Sequence, residues 1–336
     1  MTLSTLWKVD STVDKEGRSP IAEQILTSWE HDGGSAKFFR SSANFVYMFR
    51  RGSKVHFLRF ADSSERQKAV IEAEVELLLW LSERNINVAK PVLSRNGRFM
   101  ETTATGLGTF HAVVFVGLEG DRHDIDDLDV GGFQAWGSAL GGLHSVMKHY
   151  KGAGLSVRHG WRDQLEIAKS YITADDTTVR HELGEIESAL GKLPATAENF
   201  GLIHADFELD NLCWRSSNVG MLDFDNCQHN WYAADIAFAL RDLFSTGADL
   251  SDRRFQEFTC GYTSRYPLEA RMLRLIPLFL RMARMIEYAT LVRCTDLPAE
   301  GEYPPWLENL NMKLKNRMAE YKTRLANRMQ EMDPPL

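Results

Sequence analysis

Cysteine organises nothing in this sequence. The four residues Cys213, Cys227, Cys260 and Cys294 are widely separated and form no C-x-x-C pair. That spacing excludes a zinc ribbon or a disulfide framework and points to reduced core thiols of a cytoplasmic protein. Long apolar runs are missing as well. No stretch reaches the roughly 18 consecutive apolar residues that cross a bilayer, and the opening segment MTLSTLWKVDSTVDKEGRSP has no apolar core of signal-peptide type. Positive charge is in deficit: the formal net charge of −7 argues against a partner such as nucleic acid, whose binders carry a basic stripe. A local basic spot for one small phosphate ligand stays compatible with it. No internal repeat or low-complexity linker breaks the chain. What remains is an ordinary globular composition over 336 residues, 44% hydrophobic and 25% charged, enough for one large domain or two lobes.

The texture changes along the chain. Ser19 followed by Pro20 is a helix start, opening PIAEQILTSW. KFFRSSANFVYMFRR and KVHFLRFA are β-rich runs joined by a turn at Gly52-Ser53, a hairpin signature. Ser64 with Gln67 three residues on reads as a capping box that opens the helix ERQKAVIEAEVELLLWLSERN. VAKPVLS, GRFMETT and FHAVVFVGLEG read as three more strands. Beyond them GGFQAWGSALGGLHSVMKHY, RDQLEIAKSYI and most of 233–330 are helical. A strand-rich first third followed by a helix-rich remainder predicts an α+β protein of two lobes, residues 1–116 and 117–336.

One segment of the second lobe is strand-like. GLIHADFELDNLCW, RSSN and VGMLDFDN read as a polar loop, a strand, a turn and a second strand ending in acids. Folded as a hairpin, they return Asp206 and Asn211 to the neighbourhood of Asp223. Carboxylates with one carboxamide form an oxygen-only set, suited to a hard cation such as Mg²⁺ and poorly suited to zinc, since His204 is the one imidazole nearby. The offsets His, Asp +2 and Asn +7 arise by chance in about one chain in a hundred of this length. A solvated loop with Asp206 capping a turn is the plainer alternative.

H-x-D-x-x-x-x-N followed by a hydrophobic strand ending in D-F-D resembles the aminoglycoside phosphotransferase and choline kinase group, small-molecule relatives of protein kinases. The resemblance runs from about Ser41 through ALGGLHS to NWYAADIAFALRDLF. It implies a protein-kinase-like fold, with a small β-rich N-lobe and a larger helical C-lobe, and phosphoryl transfer from ATP or GTP with Mg²⁺. Position by position it makes Asp206 the catalytic aspartate that takes the acceptor proton, and Asn211 and Asp223 the metal ligands. His204 becomes a scaffold residue, and Asp235 a brace behind the loop. Asp225 is open between a second metal contact and a solvated acid. Two positions depart from the pattern: Ala205 and Asp210 stand where glycine is usual or frequent. Alanine is a minor change if that backbone keeps a negative φ, and Asp210 adds an acid beside a metal ligand.

A kinase-like site also needs a cation on the phosphates, held by a carboxylate from a helix. Alternation along KVHFLRF puts Val55, Phe57 and Arg59 on one face. Ile71, Glu74, Val75 and Leu78 share a helical stripe, so Glu74 sits among apolar side chains and needs a partner. Arg59 is that partner, where the family commonly has lysine. RSSANFVY holds the place of the phosphate-covering loop: Ser42 and Asn44, with their small neighbours, offer backbone N–H groups, although no G-x-G-x-x-G is present. VVFVGLEG resembles the hinge, where the backbone of Phe115 and Val116 meets a purine.

The acceptor is less legible. The acids of EGDRHDIDDLD suit a cationic acceptor and equally a solvated loop in which Asp129 caps a helix. Trp231, Tyr232, Tyr303 and Trp306 suit a sugar or ammonium site, and equally ordinary packing. The leading expectation is a kinase acting on a small hydroxylated molecule of the aminoglycoside, choline or homoserine kind, with no membrane partner. A kinase for protein Ser or Thr and a nucleotide-binding module with little turnover are the alternatives.

Overall fold

A computed structural model of the chain describes residues 1–215, 218–244 and 247–332. Helix α1 (Leu3–Asp10) starts at a Thr2 cap and buries Leu3, Leu6 and Val9. Its amphipathic spacing was not read from the sequence. Helix α2 (Pro20–Leu26) follows Ser19, whose hydroxyl accepts from the Ala22 amide at 3.4 Å. Strands β1 (Lys37–Ser41), β2 (Phe45–Arg51) and β3 (Lys54–Asp62) precede helix α3 (Lys68–Glu83), and strands β4 (Met100–Thr105) and β5 (Gly108–Val116) complete one antiparallel sheet in the order β1-β2-β3-β5-β4. Two expectations fail here. Helix α3 begins after Gln67 rather than at Ser64, because the Ser64 hydroxyl donates instead to Asp62 at 2.8 Å. VAKPVLS is no strand: Val88 and Pro91 form only isolated bridges, to Met221 and Phe115, and a proline has no amide to extend a ladder.

The sheet separates two cores. Phe45, Tyr47, Phe49, Leu58, Phe60 and Phe110 pack with α1 and α2, while Val113 and Phe115 join α3 in a core continuous with the helical lobe. Alternation along β3 therefore sends Leu58 and Phe60 to one side and Phe57 and Arg59 to the other.

The helical lobe contains α4 (Val130–Met147), α5 (Trp161–Tyr171), α6 (Thr177–Gly191), β6 (Phe200–Ile203), β7 (Leu212–Arg215), β8 (Asn218–Met221), β9 (Gln228–Trp231), α7 (Tyr232–Ala239), α8 (Arg253–Thr263), α9 (Ala270–Leu273), α10 (Ile276–Cys294) and α11 (Pro305–Met332). Strands β7 and β8 form the expected antiparallel hairpin, with Leu212 opposite Met221; Ser216 and Ser217 of its turn lie outside the described residues. Strand β6 pairs with β9, a four-residue polar strand that alternation does not reveal. Helices α4 and α8 approach closely because Gly137, Gly141 and Gly261 face backbone: a Cβ on Gly137 would stand 1.9 Å from the Phe258 carbonyl oxygen. Helix α11 crosses both cores, with Leu307 buried against the N-terminal sheet and Leu325 in the helical lobe. Of the cysteines, Cys213 and Cys227 are buried, but Cys260 is exposed and Cys294 half-buried, so only the first two are core thiols.

Candidate active site

The loop between β6 and β7 is held from behind by Asp235 on α7. Its fully buried carboxylate accepts from the His204 amide at 2.8 Å, the Ala205 amide at 2.8 Å and the His144 ring at 2.9 Å. The other His144 nitrogen meets the Tyr262 hydroxyl at 2.7 Å. His204 is fully buried, and burial lowers its pKa, so the ring is neutral. One tautomer fits both of its bonds: Nδ1 accepts from the Asp206 amide at 3.2 Å, and Nε2 donates to the Leu222 carbonyl at 3.0 Å. The condition attached to Ala205 is not met. Its φ is +66°, in the left-handed region that costs a non-glycine residue about 1–2 kcal/mol, and the paired Asp235 contacts keep the loop in place regardless.

Asn211 ties the loop to the hairpin. Its Nδ2 donates to the Asp206 carbonyl at 3.0 Å and to Asp206 Oδ2 at 3.1 Å. Its main-chain carbonyl accepts from the Leu222 amide at 2.9 Å, which sets Asp223 beside it. With the amide nitrogen committed, the Asn211 side chain offers its oxygen to a ligand. Asp223 is itself left-handed, at φ +61°. Its carboxylate receives Arg59 Nη1 at 3.1 Å and lies 3.8 Å from Arg40. Burial and the neighbouring Asp225, against the pull of Arg59, raise its pKa to about 8.

Arg59 and Glu74 form a bidentate pair, one arm at 2.9 Å, and Glu74 is 1% exposed. The guanidinium also lies 5.0 Å from the Phe115 ring centre. Burial disfavours its charge, but Glu74 and Asp223 outweigh burial and raise its pKa. Phe115, Val116, Arg59, Glu74, Asn211 and Asp223 all line one cleft of about 300 Å³ between the sheet and the hairpin. Within it the Val116 amide is already donated to the Lys90 carbonyl at 2.9 Å, and the Gly117 amide to Val55 at 3.0 Å.

The glycine-free loop is differently employed. The exposed Ser42 donates its amide to the Asn44 carbonyl at 3.2 Å, and the buried Asn44 side chain donates to Asp225 at 2.9 Å. Asp225 is not a surface acid: Asn44 and Arg66, the latter at 2.6 Å, take its Oδ2, while its Oδ1 is buried without a hydrogen-bond partner among the described residues. Burial would raise its pKa, yet Arg66, Arg59 and Asn44 together lower it. Asp210 is exposed at the cleft edge, with its carbonyl bonded by Arg122. Three acids of the loop after β5 serve turns: Asp124 and Asp127 cap one another's turn, and Asp129 accepts from the Gly132 amide at 2.8 Å as the cap of α4. Trp231 and Tyr232 are buried, and Trp306 packs edge-on against Trp7. Sequence reasoning missed Arg40, Arg66, His144, Glu208 and Arg241. Arg241 pairs with Glu208 and stands 3.7 Å from Asp206 Oδ1. Burial, with Asp206 and Asp242 adding to it and Arg241 opposing, raises the Glu208 pKa to about 7. His144 had a signal, a histidine on the apolar face of its helix; the arginines had none.

A five-stranded antiparallel sheet over a helical lobe, with the polar loop and hairpin at their junction, is the protein-kinase-like fold. The chain belongs to the phosphotransferase enzyme family, whose profile matches residues 35–272, and it is a small-molecule kinase within that family. The amicoumacin kinase of Bacillus subtilis (strain 168) is 28% identical over 295 residues, covering 83% of this chain and 88% of the relative. An amicoumacin kinase solved in complex with AMP-PNP, Ca²⁺ and Ami superposes with a TM-score of 0.78 at 22% identity, over 95% of each chain. A microcompartment-associated aminopropanol kinase gives 0.72 at 21% identity, over 93% of this chain and 97% of that one. Among the described residues no helix is long and apolar enough to cross a membrane.

Proposed function

We propose that the protein moves the γ-phosphoryl group of ATP, or of GTP, onto a hydroxyl of a small molecule, between lobes 1–116 and 117–336. The observation that carries this reading is Asn211, whose side-chain amide bonds the Asp206 carboxylate on one side and whose main-chain carbonyl bonds the residue before Asp223 on the other. A base and a cation site are thereby fixed next to each other.

The acceptor oxygen bonds to the γ-phosphorus while the bond from phosphorus to the β–γ bridging oxygen breaks. ADP leaves, and the hydroxyl proton passes to Asp206, which is 22% exposed and reachable. Arg59, braced by Glu74, holds phosphate oxygens, and Phe115, Val116 and Leu118 bound the purine. With the Val116 and Gly117 amides committed, the Leu118 amide is the purine's donor. The donor set fits Mg²⁺: one carboxamide oxygen and one carboxylate, leaving positions for phosphate and water. Burial and Asp225 raise the pKa of Asp223 against the pull of Arg59, and a divalent ion there would offset both. Bound there, Mg²⁺ would neutralise phosphate charge. The names of the relatives, kinases of amicoumacin and aminopropanol, favour a small acceptor over a protein.

The test combines thermal shift with Mg²⁺-ATP and Mg²⁺-GTP and turnover by Asp206→Asn. The substitution is expected to keep nucleotide binding and to lower kcat by about 10²–10⁴-fold. Parent-like turnover by this variant, or no shift with either nucleotide, contradicts the reading.

A further inference from the structure

Behind the catalytic loop, α10 and α11 with part of α6 border a second cavity of about 630 Å³. One of its walls is Arg241, whose guanidinium also reaches toward Asp206 Oδ1. Arg241 is thus shared between this cavity and the catalytic aspartate. The lining is basic in an acidic chain: seven arginines and lysines against four acids, where the whole protein carries −7.

Most of those cations are already matched. Arg281 and Arg328 both bond Glu182, and Arg317 pairs with Glu287. Arg284 is different. Its guanidinium is half-buried, donates to the Phe244 carbonyl at 2.7 Å, and among the described residues has no carboxylate within ion-pair distance. Burial and the neighbouring Arg324 lower its pKa, so its charge is held at a cost. Lys313 lines the same cavity from α11, also without an ion pair among the described residues. A half-buried cation among like charges is stabilised by an anion that arrives with the ligand. Of the acids after β5, the other source of acceptor charge preference, all are exposed, and Asp124, Asp127 and Asp129 are occupied with caps.

We infer that the phosphate acceptor carries an anionic group, a carboxylate or a phosphate ester, which Arg284 and Lys313 hold while its hydroxyl lies at Asp206. This rests on the kinase reading above and adds the acceptor's chemical class to it.

Acceptors that differ only by a carboxylate test it: serine against ethanolamine, threonine against 1-amino-2-propanol, homoserine against 3-aminopropan-1-ol, each with γ-labelled ATP. In parallel, sulfate is titrated calorimetrically at constant ionic strength with Mg²⁺-ADP saturating the nucleotide side. The inference expects kcat/KM at least tenfold higher for the acid of any pair that reacts. It expects a sulfate site in the parent that Arg284→Gln abolishes and Arg284→Lys retains, with Mg²⁺-ADP affinity unchanged in both. In Arg284→Gln the KM for the acid rises at least tenfold. An amine that reacts as well as its acid overturns the inference, as does a parent without a sulfate site or a site untouched by Arg284→Gln. If none of the six compounds reacts, the sulfate result decides. Failure to bind Mg²⁺-ADP is a separate outcome, which overturns the kinase reading itself and this inference with it.

Discussion

Replacing Asp235 with asparagine removes one charge and turns one acceptor into a donor at the point from which the catalytic loop is hung. In the parent, Oδ2 receives the His204 amide and the His144 ring, and Oδ1 receives the Ala205 amide. Asparagine supplies a single oxygen. If that oxygen stays on the His204 side, the new NH₂ faces the Ala205 amide; if it turns, the NH₂ faces the His204 amide. Either way one buried backbone donor is left unsatisfied, which costs about 1–3 kcal/mol. The bonds that survive lose the charge that makes them roughly twice as strong as neutral ones, about 1 kcal/mol each. The loop cannot relax cheaply, because Ala205 already occupies a left-handed conformation that these contacts enforce. Asp235→Asn is therefore expected to destabilise the protein by about 3–5 kcal/mol, with Asp235→Ala at least as damaging. Urea unfolding followed by tryptophan fluorescence and far-UV circular dichroism measures this, provided the two transitions coincide. A loss below about 1 kcal/mol would refute the reasoning, because it would mean that the three bonds to Asp235 do not support the loop.

Two further outcomes follow from the same geometry. Gly137→Ala drives a Cβ to within 1.9 Å of a backbone oxygen on α8, so the α4–α8 pair must separate at a cost of about 1–3 kcal/mol or more; an unchanged urea midpoint contradicts that close approach. For pH, the sign runs through Asp223. A carboxyl whose pKa is raised to about 8 keeps its proton below that value, and a cation must expel it. Divalent-cation affinity should thus fall about tenfold per pH unit below 8 and level off above it, with a proton released on binding at pH 7; calorimetry in two buffers of different ionisation heat reads both, and a flat profile between pH 6 and 8 contradicts it.

Periodicity and spacing made much of this protein legible. The alternation of KVHFLRF and the stripe holding Glu74 were enough to pair Arg59 with Glu74, because a carboxylate among apolar side chains has few affordable solutions. The hairpin signature sufficed to return Asn211 to the neighbourhood of Asp223. What stayed hidden depends on chain reversals that no local pattern encodes. Asp225 was open between a second metal contact and a solvated acid, yet Arg66 and Asn44, more than 150 positions away, close over it. Strand β9 exists only because β6 is there to pair with it. The left-handed backbone of Ala205 is imposed by Asp235, thirty residues on, against alanine's own preference. The acids of EGDRHDIDDLD suited a cationic acceptor and a capped, solvated loop equally by composition; the structure uses Asp124, Asp127 and Asp129 as caps and sets a basic cavity elsewhere.

The claim on which everything else depends is that a single divalent ion sits between Asn211 and Asp223 with Asp206 free beside it. Anomalous scattering from crystals grown with Mn²⁺ and AMP-PNP locates that ion directly. The account predicts a peak within about 2.5 Å of oxygens from both Asn211 and Asp223, and no ligation by Asp206. A peak bound to neither residue, or one coordinated by Asp206 in their place, would contradict it.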